Sequence, residues 1–343
     1  MAGDLEKREK EYLIRIVEEY IRTGEPVSSR QVSNIYGVDL SSASIRNIML
    51  ALTERNFLEQ PHTSSGRVPS DKAYRVYVDD QFSRTGGKEK EEWKDRFFSE
   101  KETLNATNVL KENLKMLSDA THCASLASEP DARFQVLKSV EFFQLSEKQV
   151  LVVVITEAGI VKSHQVSWLS PFDQLALENL GKNLTDFLRG KTVQDFQTGF
   201  LKILADEKMA KEGEQFTQAV HMGKKALALE NETTLIFQGR NYMLAWPELK
   251  KQSNITAIYQ EMESGSELFQ ALQQEEDLNR AYCKIGQEIN LENFSNCSLV
   301  AANYGSQKAK LGTIGILGPK RMNYFRMANL VETVSKIVSS YFR

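Results

Sequence analysis

The chain has 343 residues, of which 41% are apolar, 9% aromatic and 26% charged. That is enough apolar matter for two or three cores at about 150 residues per domain, and too much for a disordered chain. Its 43 Lys and Arg against 46 Asp and Glu leave a net charge of -3, which excludes a protein that coats nucleic acid by bulk charge, so any such binding has to come from a local patch.

Residues 5–22 are predicted as a helix. Leu13, Ile16, Val17, Tyr20 and Ile21 recur at three- and four-residue steps, and Gly24 and Pro26 stop it. Ser28 or Ser29 caps a second helix through about Tyr36, with Val32 and Ile35 inward. Gly37 supplies a turn. Ser41 or Ser42 then caps a third helix to about Arg55, with Ile45, Ile48, Met49 and Leu52 inward. Two short helices about a glycine turn fit a helix-turn-helix. The start of the third helix presents Ser42, Ala43, Ser44, Arg46 and Asn47 outward. Small residues let a helix end approach a major groove closely, and Arg and Asn have the geometry to read guanine and adenine edges. The same face also suits an amphipathic helix that meets only water.

Phe57 to Gln60 reads as a strand. Pro61, His62, Thr63, Ser64, Ser65 and Gly66 suit a hairpin tip, with Arg67 at its base. A helix-turn-helix followed by a hairpin is a winged helix, whose wing can lay an arginine or backbone amides along phosphates or into the minor groove. The alternatives are a solvated turn residue for Arg67 and a surface side chain without a metal partner for His62. Within 42–75, Arg46, Arg55, Arg67, Lys72 and Arg75 stand against Glu54, Glu59 and Asp71, although residues 1–80 carry a net negative charge. Lys72 and Arg75 are the weaker phosphate candidates of this patch.

These residues are similar to those of a known family. The runs Tyr20–Ser29, Ser41–Asn47, Gln60–Pro69 and Tyr74–Asp79, with Asn296–Val300 and Leu311–Tyr324 near the end of the chain, resemble the bacterial heat-inducible transcription repressors (HrcA). Ala73 departs from the glycine usual before Tyr-Arg in that family. The resemblance implies a winged helix, a GAF-like sensor-type domain and an inserted dimerisation domain. It also implies repression at an operator upstream of chaperone operons, with the GroEL chaperonin keeping the repressor in its active fold. One winged helix gives few base contacts, so a homodimer on a double-stranded inverted-repeat operator is expected.

Residues 83–90 read as a linker. Thr107, Leu110, Leu114, Leu117, Thr121 and Ala124 fall on one face of a following helix. The adjacent His122 and Cys123 make a poor nucleophilic dyad, because helix neighbours point in different directions and no orienting third residue is visible. Three strands are predicted at Phe134 to Leu145, Val150 to Thr156 and Ile160 to Trp168, with a hairpin at Gly159. Val150 to Ile155 is apolar on both faces and is expected to be a central, covered strand. Residues 172–275 read as mainly helical, with the strand-like Thr234 to Phe237. Three more strands are predicted near 282–289, 298–304 and 311–317, before a last helix over 323–342.

The strand-helix-strand order predicts one sheet domain split by an insertion. The expected architecture is α+β: a winged-helix DNA-binding domain over 1–85, a GAF-like α/β sheet domain over 86–171 and 276–343, and an inserted, mainly helical dimerisation domain over 172–275. Gly312, Gly315 and Gly318 lack the dinucleotide spacing, and Gly223-Lys224-Lys225 lacks the P-loop frame. Four scattered histidines make no metal signature, and the three cysteines, Cys123, Cys283 and Cys297, form no C-x-x-C pair. The segment after Met1 has no signal-peptide core, and Val150 to Ile155 is far short of a membrane span. The expectation is therefore a cytoplasmic, non-enzymatic, cofactor-free repressor. The alternative is a regulator controlled by a small molecule bound in the GAF-like domain.

Overall fold

The computed structural model describes residues 5–36, 41–62, 65–83, 106–167, 174–195, 198, 235–250, 255–272, 277–306 and 309–342. The first helix, α1 (Lys7–Thr23), buries Leu13, Ile16 and Val17. It ends at Gly24, whose φ of 71° lies in the left-handed region that glycine enters without strain, and whose amide donates to the Tyr20 carbonyl at 2.8 Å. Helix α2 (Ser29–Tyr36) is capped by Ser28. The Gln31 amide donates to Ser28 Oγ at 3.3 Å, and the Ser28 amide donates to Gln31 Oε1 at 2.7 Å. Helix α3 (Ser42–Glu54) starts where the Ser44 amide donates to Ser41 Oγ at 3.2 Å, and it buries Ile45, Met49 and Leu52. Strands β1 (Leu58–Glu59) and β2 (Val68–Pro69) pair antiparallel, with Leu58 opposite Pro69 and Glu59 opposite Val68. Helix α4 (Asp71–Ser83) then packs along α1, where Lys10 meets Asp80 at 3.1 Å. The three helices predicted over 5–55 thus form within a residue or two of their expected ends. The predicted linker falls, beyond Ser83, outside the described residues.

Helix α5 (Ala106–Thr121) is shorter than the apolar spacing predicts. His122 takes a φ of 52°, and Ala124 opens a buried strand, β3 (Ala124–Ser128), so Ala124 belongs to a sheet and not to the helix face. Strands β4 (Leu137–Ser146), β5 (Gln149–Thr156) and β6 (Val161–Ser167) follow, with the expected turn at Gly159, whose φ is 74°. Helix α6 (Gln174–Leu188) packs on β4, burying Leu177, Leu180, Leu184 and Leu188. Next come β7 (Leu235–Gln238), α7 (Pro247–Lys250), α8 (Ile255–Ser264), α9 (Ser266–Leu272), β8 (Ala281–Ile285), β9 (Cys297–Ser306), β10 (Ala309–Pro319) and α10 (Tyr324–Ser340).

A sheet split by an insertion forms, as element order predicts, but β4, β5 and β6 are not part of it. Strands β4, β5 and β6 make a three-stranded sheet of their own. The larger sheet has the order β7-β3-β10-β9-β8 and is antiparallel throughout. It recruits β3 and also β7, which lies inside the stretch expected to be inserted. Strand partners are chosen by long-range packing, which order along the chain does not encode. Strand β5 is central in its sheet, but it is not covered on both faces. Val150, Val152 and Val154 are buried, whereas Leu151, Val153 and Ile155 are half-buried. The register sets Phe143 beside Leu151, and Val161 beside Ile155, on that second face. Strand β8 ends at Ile285, short of the predicted 289, where Gly286 at a φ of 53° turns the chain into a 3-10 helix.

Helix α10 lies on β9 and β10 beside α5. Nearly the whole length of β9 and β10 is buried, and this is the core of the larger sheet.

Candidate nucleic-acid interface

The buried stripe of α3 decides what the helix shows to solvent. With Ile45, Met49 and Leu52 inward, Ser42, Ala43, Arg46 and Asn47 are exposed. Ser44 is half-buried, its Oγ 3.1 Å from Ser41 Oγ.

The hairpin is fixed beside this face by backbone contacts. Val27, just before α2, and Arg67 form an antiparallel bridge. Gly66 presses on the same segment: a Cβ there would lie 2.5 Å from the Val27 carbonyl oxygen and 2.6 Å from that of Pro26. Arg67 is half-buried, and its Nε donates to Thr53 Oγ1 at 3.1 Å, which lays the side chain along α3. At the tip, Ser65 Oγ donates to the His62 carbonyl at 2.6 Å and accepts from the His62 amide at 3.0 Å. His62 itself is exposed. Thr63 and Ser64 lie outside the described residues.

Helix starts and hairpin together enclose a polar cleft of about 440 Å3, lined by Ser28, Ser29, Arg46, Gln60, Ser65, Gly66 and Arg67 among others. It brings one cation from α3 and one from the hairpin to the same space. Sequence reasoning did not select Ser28, Ser29 and Gln60 as part of the site. Their signal was weak: two cap residues and one polar residue at the hairpin entry.

Lys72 is exposed at the base of the hairpin, with Nζ 4.2 Å from the centre of the Phe57 ring and 3.4 Å from the Arg55 carbonyl oxygen. Arg75 is engaged within the chain. Its Nη2 donates to the Cys283 carbonyl at 2.6 Å, its Nε donates to Glu288 Oε1 at 2.9 Å, and it pairs with Asp79 at 3.3 Å. The guanidinium is committed to β8 and the turn after it, not to an open cationic surface.

Among the described residues no group of three or more His, Cys, Asp or Glu is placed to hold a metal ion. Burial pushes the Cys123 thiol up to about 12, so it is protonated at neutral pH. Its neighbour His122 packs on Tyr242, ring centres 5.2 Å apart, and the Tyr242 hydroxyl donates to Asp119 at 3.0 Å. No helix among the described residues is long and apolar enough to cross a membrane.

Comparison with known proteins bears on the whole chain. A family model described as the HrcA protein C terminal domain matches residues 107–328. The heat-inducible transcription repressor HrcA of Symbiobacterium thermophilum is 29% identical over 339 residues, covering 99% of each chain. That of a Thermoanaerobacter species is 30% identical over 341 residues, covering 98% of this chain and 96% of its own. A crystal structure of a protein described as hypothetical shares the fold, with a TM-score of 0.67 at 23% identity over 99% of both chains.

Proposed function

The chain belongs to the HrcA family of heat-inducible transcription repressors, and from that premise we propose that residues 1–85 form a winged helix that reads DNA. The observation that carries this reading is the shared cleft of Arg46 and Arg67, which come from two different elements. In it, α3 enters the major groove, with Ser42, Ala43 and Ser44 allowing close approach and Arg46 and Asn47 meeting base edges. The hairpin, from His62 through Thr63, Ser64, Ser65 and Gly66 to Arg67, lies along the phosphates, and Lys72 adds a further phosphate contact. Arg75 has no part in this surface.

Repression then acts through a homodimer on an inverted-repeat operator upstream of chaperone genes, because one reading helix discriminates too weakly against a genome. We place dimerisation on the three-stranded sheet together with residues 172–275, whose first helix, α6, packs on that sheet. Phe143, Leu145 and Val161 are 42%, 52% and 59% exposed there, alongside the half-buried Leu151, Val153 and Ile155. A sheet face with this many exposed apolar side chains marks an interface. The five-stranded sheet with α5 and α10 is the GAF-like part in this division.

Heat control follows if the repressor needs the GroEL chaperonin to stay folded. Heat-denatured proteins compete for the chaperonin, active repressor falls, and chaperone synthesis rises. Full operator affinity after refolding without chaperonin would contradict that dependence. The DNA reading is tested by titrating the intact protein onto labelled operator and scrambled duplexes. A preference of about a thousandfold or more supports it, and equal affinities overturn it.

A further inference from the structure

The first four helices are braced together and then tied to the larger sheet at one end. Arg55, at the end of α3, reaches Glu9 of α1 at 2.8 Å, and Lys10 of α1 reaches Asp80 of α4 at 3.1 Å. Through these contacts α3, α1 and α4 form one body. Helix α4 carries the tie. Lys320 Nζ, in the turn after β10, donates to Asp71 Oδ1 at 2.6 Å, and the Gln287 amide donates to Asp71 Oδ2 at 3.1 Å. One turn later Arg75 holds Glu288 and the Cys283 carbonyl. The fit is close: a Cβ on Gly286 would overlap the Asp71 carboxylate. Beneath the polar contacts, the Tyr74 and Tyr77 rings lie 6.2 and 6.4 Å from the Tyr324 ring, and the hydroxyls of Tyr324 and Ser298 are 2.8 Å apart.

We propose that this tie sets the angle of the reading helix relative to the sheet, with Asp71 and Lys320 as positioning residues for recognition of two half-sites at once. The inference rests on the dimer and inverted-repeat reading above. Two linked sites gain avidity only when geometry lets both engage together, and that gain is lost when the second unit cannot reach its site. Neither residue touches DNA in this account. Their effect falls on the paired operator and spares an isolated half-site, which separates positioning from contact. The two side chains are 27% and 24% exposed, so the pair is partly sheltered from solvent, and an arginine at 320 keeps the cation that it needs.

The test uses the full-length chain with Lys320→Glu and the conservative Lys320→Arg. Spin labels at Leu50 on α3 and Ser340 on α10, both exposed, report the angle when labelled chains are diluted into unlabelled ones. The expected result is a distance distribution that broadens in Lys320→Glu and stays narrow in Lys320→Arg. Affinity for the paired operator falls about tenfold in Lys320→Glu and is kept in Lys320→Arg, while half-site affinity stays within about twofold. A label distribution unchanged by Lys320→Glu overturns the proposal. So does an equal loss on half-site and paired operator in Lys320→Glu. If the unsubstituted chain shows no preference for paired half-sites, the dimer reading fails, and the label distribution still decides whether the tie exists.

Discussion

Arg67 and Val27 exchange backbone hydrogen bonds. The Arg67 amide donates to the Val27 carbonyl at 2.8 Å, and the Val27 amide donates to the Arg67 carbonyl at 2.9 Å. The base of the hairpin is thereby pinned to the residue that leads into α2, and its angle to α3 is set by main chain. Side-chain substitution on the hairpin can therefore change contacts without moving its base.

Gly66→Ala is the exception. The added methyl would stand 2.5 Å from the Val27 carbonyl oxygen, a backbone atom that cannot swing aside. It is expected to destabilise the chain by about 1–3 kcal/mol and to weaken DNA binding. Thermal melting together with an operator titration checks this; an unchanged Tm and an unchanged affinity would contradict it.

Arg46→Ala and Asn47→Ala should each lose about 1–3 kcal/mol of discrimination between operator and random duplex, because base-edge contacts are removed while phosphate contacts stay. Undiminished selection in both variants would remove α3 from the reading role.

Arg67→Ala should weaken operator and random DNA alike and flatten the dependence of log affinity on log salt by about one unit, the signature of one lost phosphate contact. Arg75→Ala should leave that slope as it is, since its guanidinium is held by Glu288 and the Cys283 carbonyl. A slope that drops with Arg75 as it does with Arg67 would place Arg75 on the DNA surface after all.

Cys123, Cys283 and Cys297 are all buried and unpaired by disulfides. Burial raises the Cys283 thiol as it does the Cys123 thiol. A thiol reagent at neutral pH should leave all three unmodified in the native chain and modify all three in denaturant. Fast modification of any one in the native chain would show that its surroundings open.

Local pattern made the N-terminal unit legible. Leu13, Ile16 and Val17 are spaced for one helix face, Gly24 and Ser41 mark helix ends, and the contacts that decide the elements lie close in sequence. The exposed residues of α3 follow from that stripe alone. The sheets were less legible. Leu117, Thr121 and Ala124 continue a helical spacing, yet His122 breaks the helix with a left-handed backbone, which histidine adopts more often than most residues but still seldom. Strand β3 pairs with β10 and β7, both distant in sequence, and nothing in Ala124 to Ser128 names those partners. Arg75 shows the same limit at the site. Counted within 42–75 it is one more free cation, but Glu288, 213 residues away, takes it.

The most direct test of the central claim, that α3 and the hairpin read an operator, is a hydroxyl-radical footprint on the region upstream of a chaperone operon. It compares the unsubstituted chain with the Arg46→Ala, Asn47→Ala double variant. The account predicts two protected half-sites whose centres lie about one helical turn, roughly 10 base pairs, or a multiple of it apart. It also predicts that this protection loses its sequence register in the double variant. Protection that ignores sequence in the unsubstituted chain, or an identical footprint in the double variant, would contradict it.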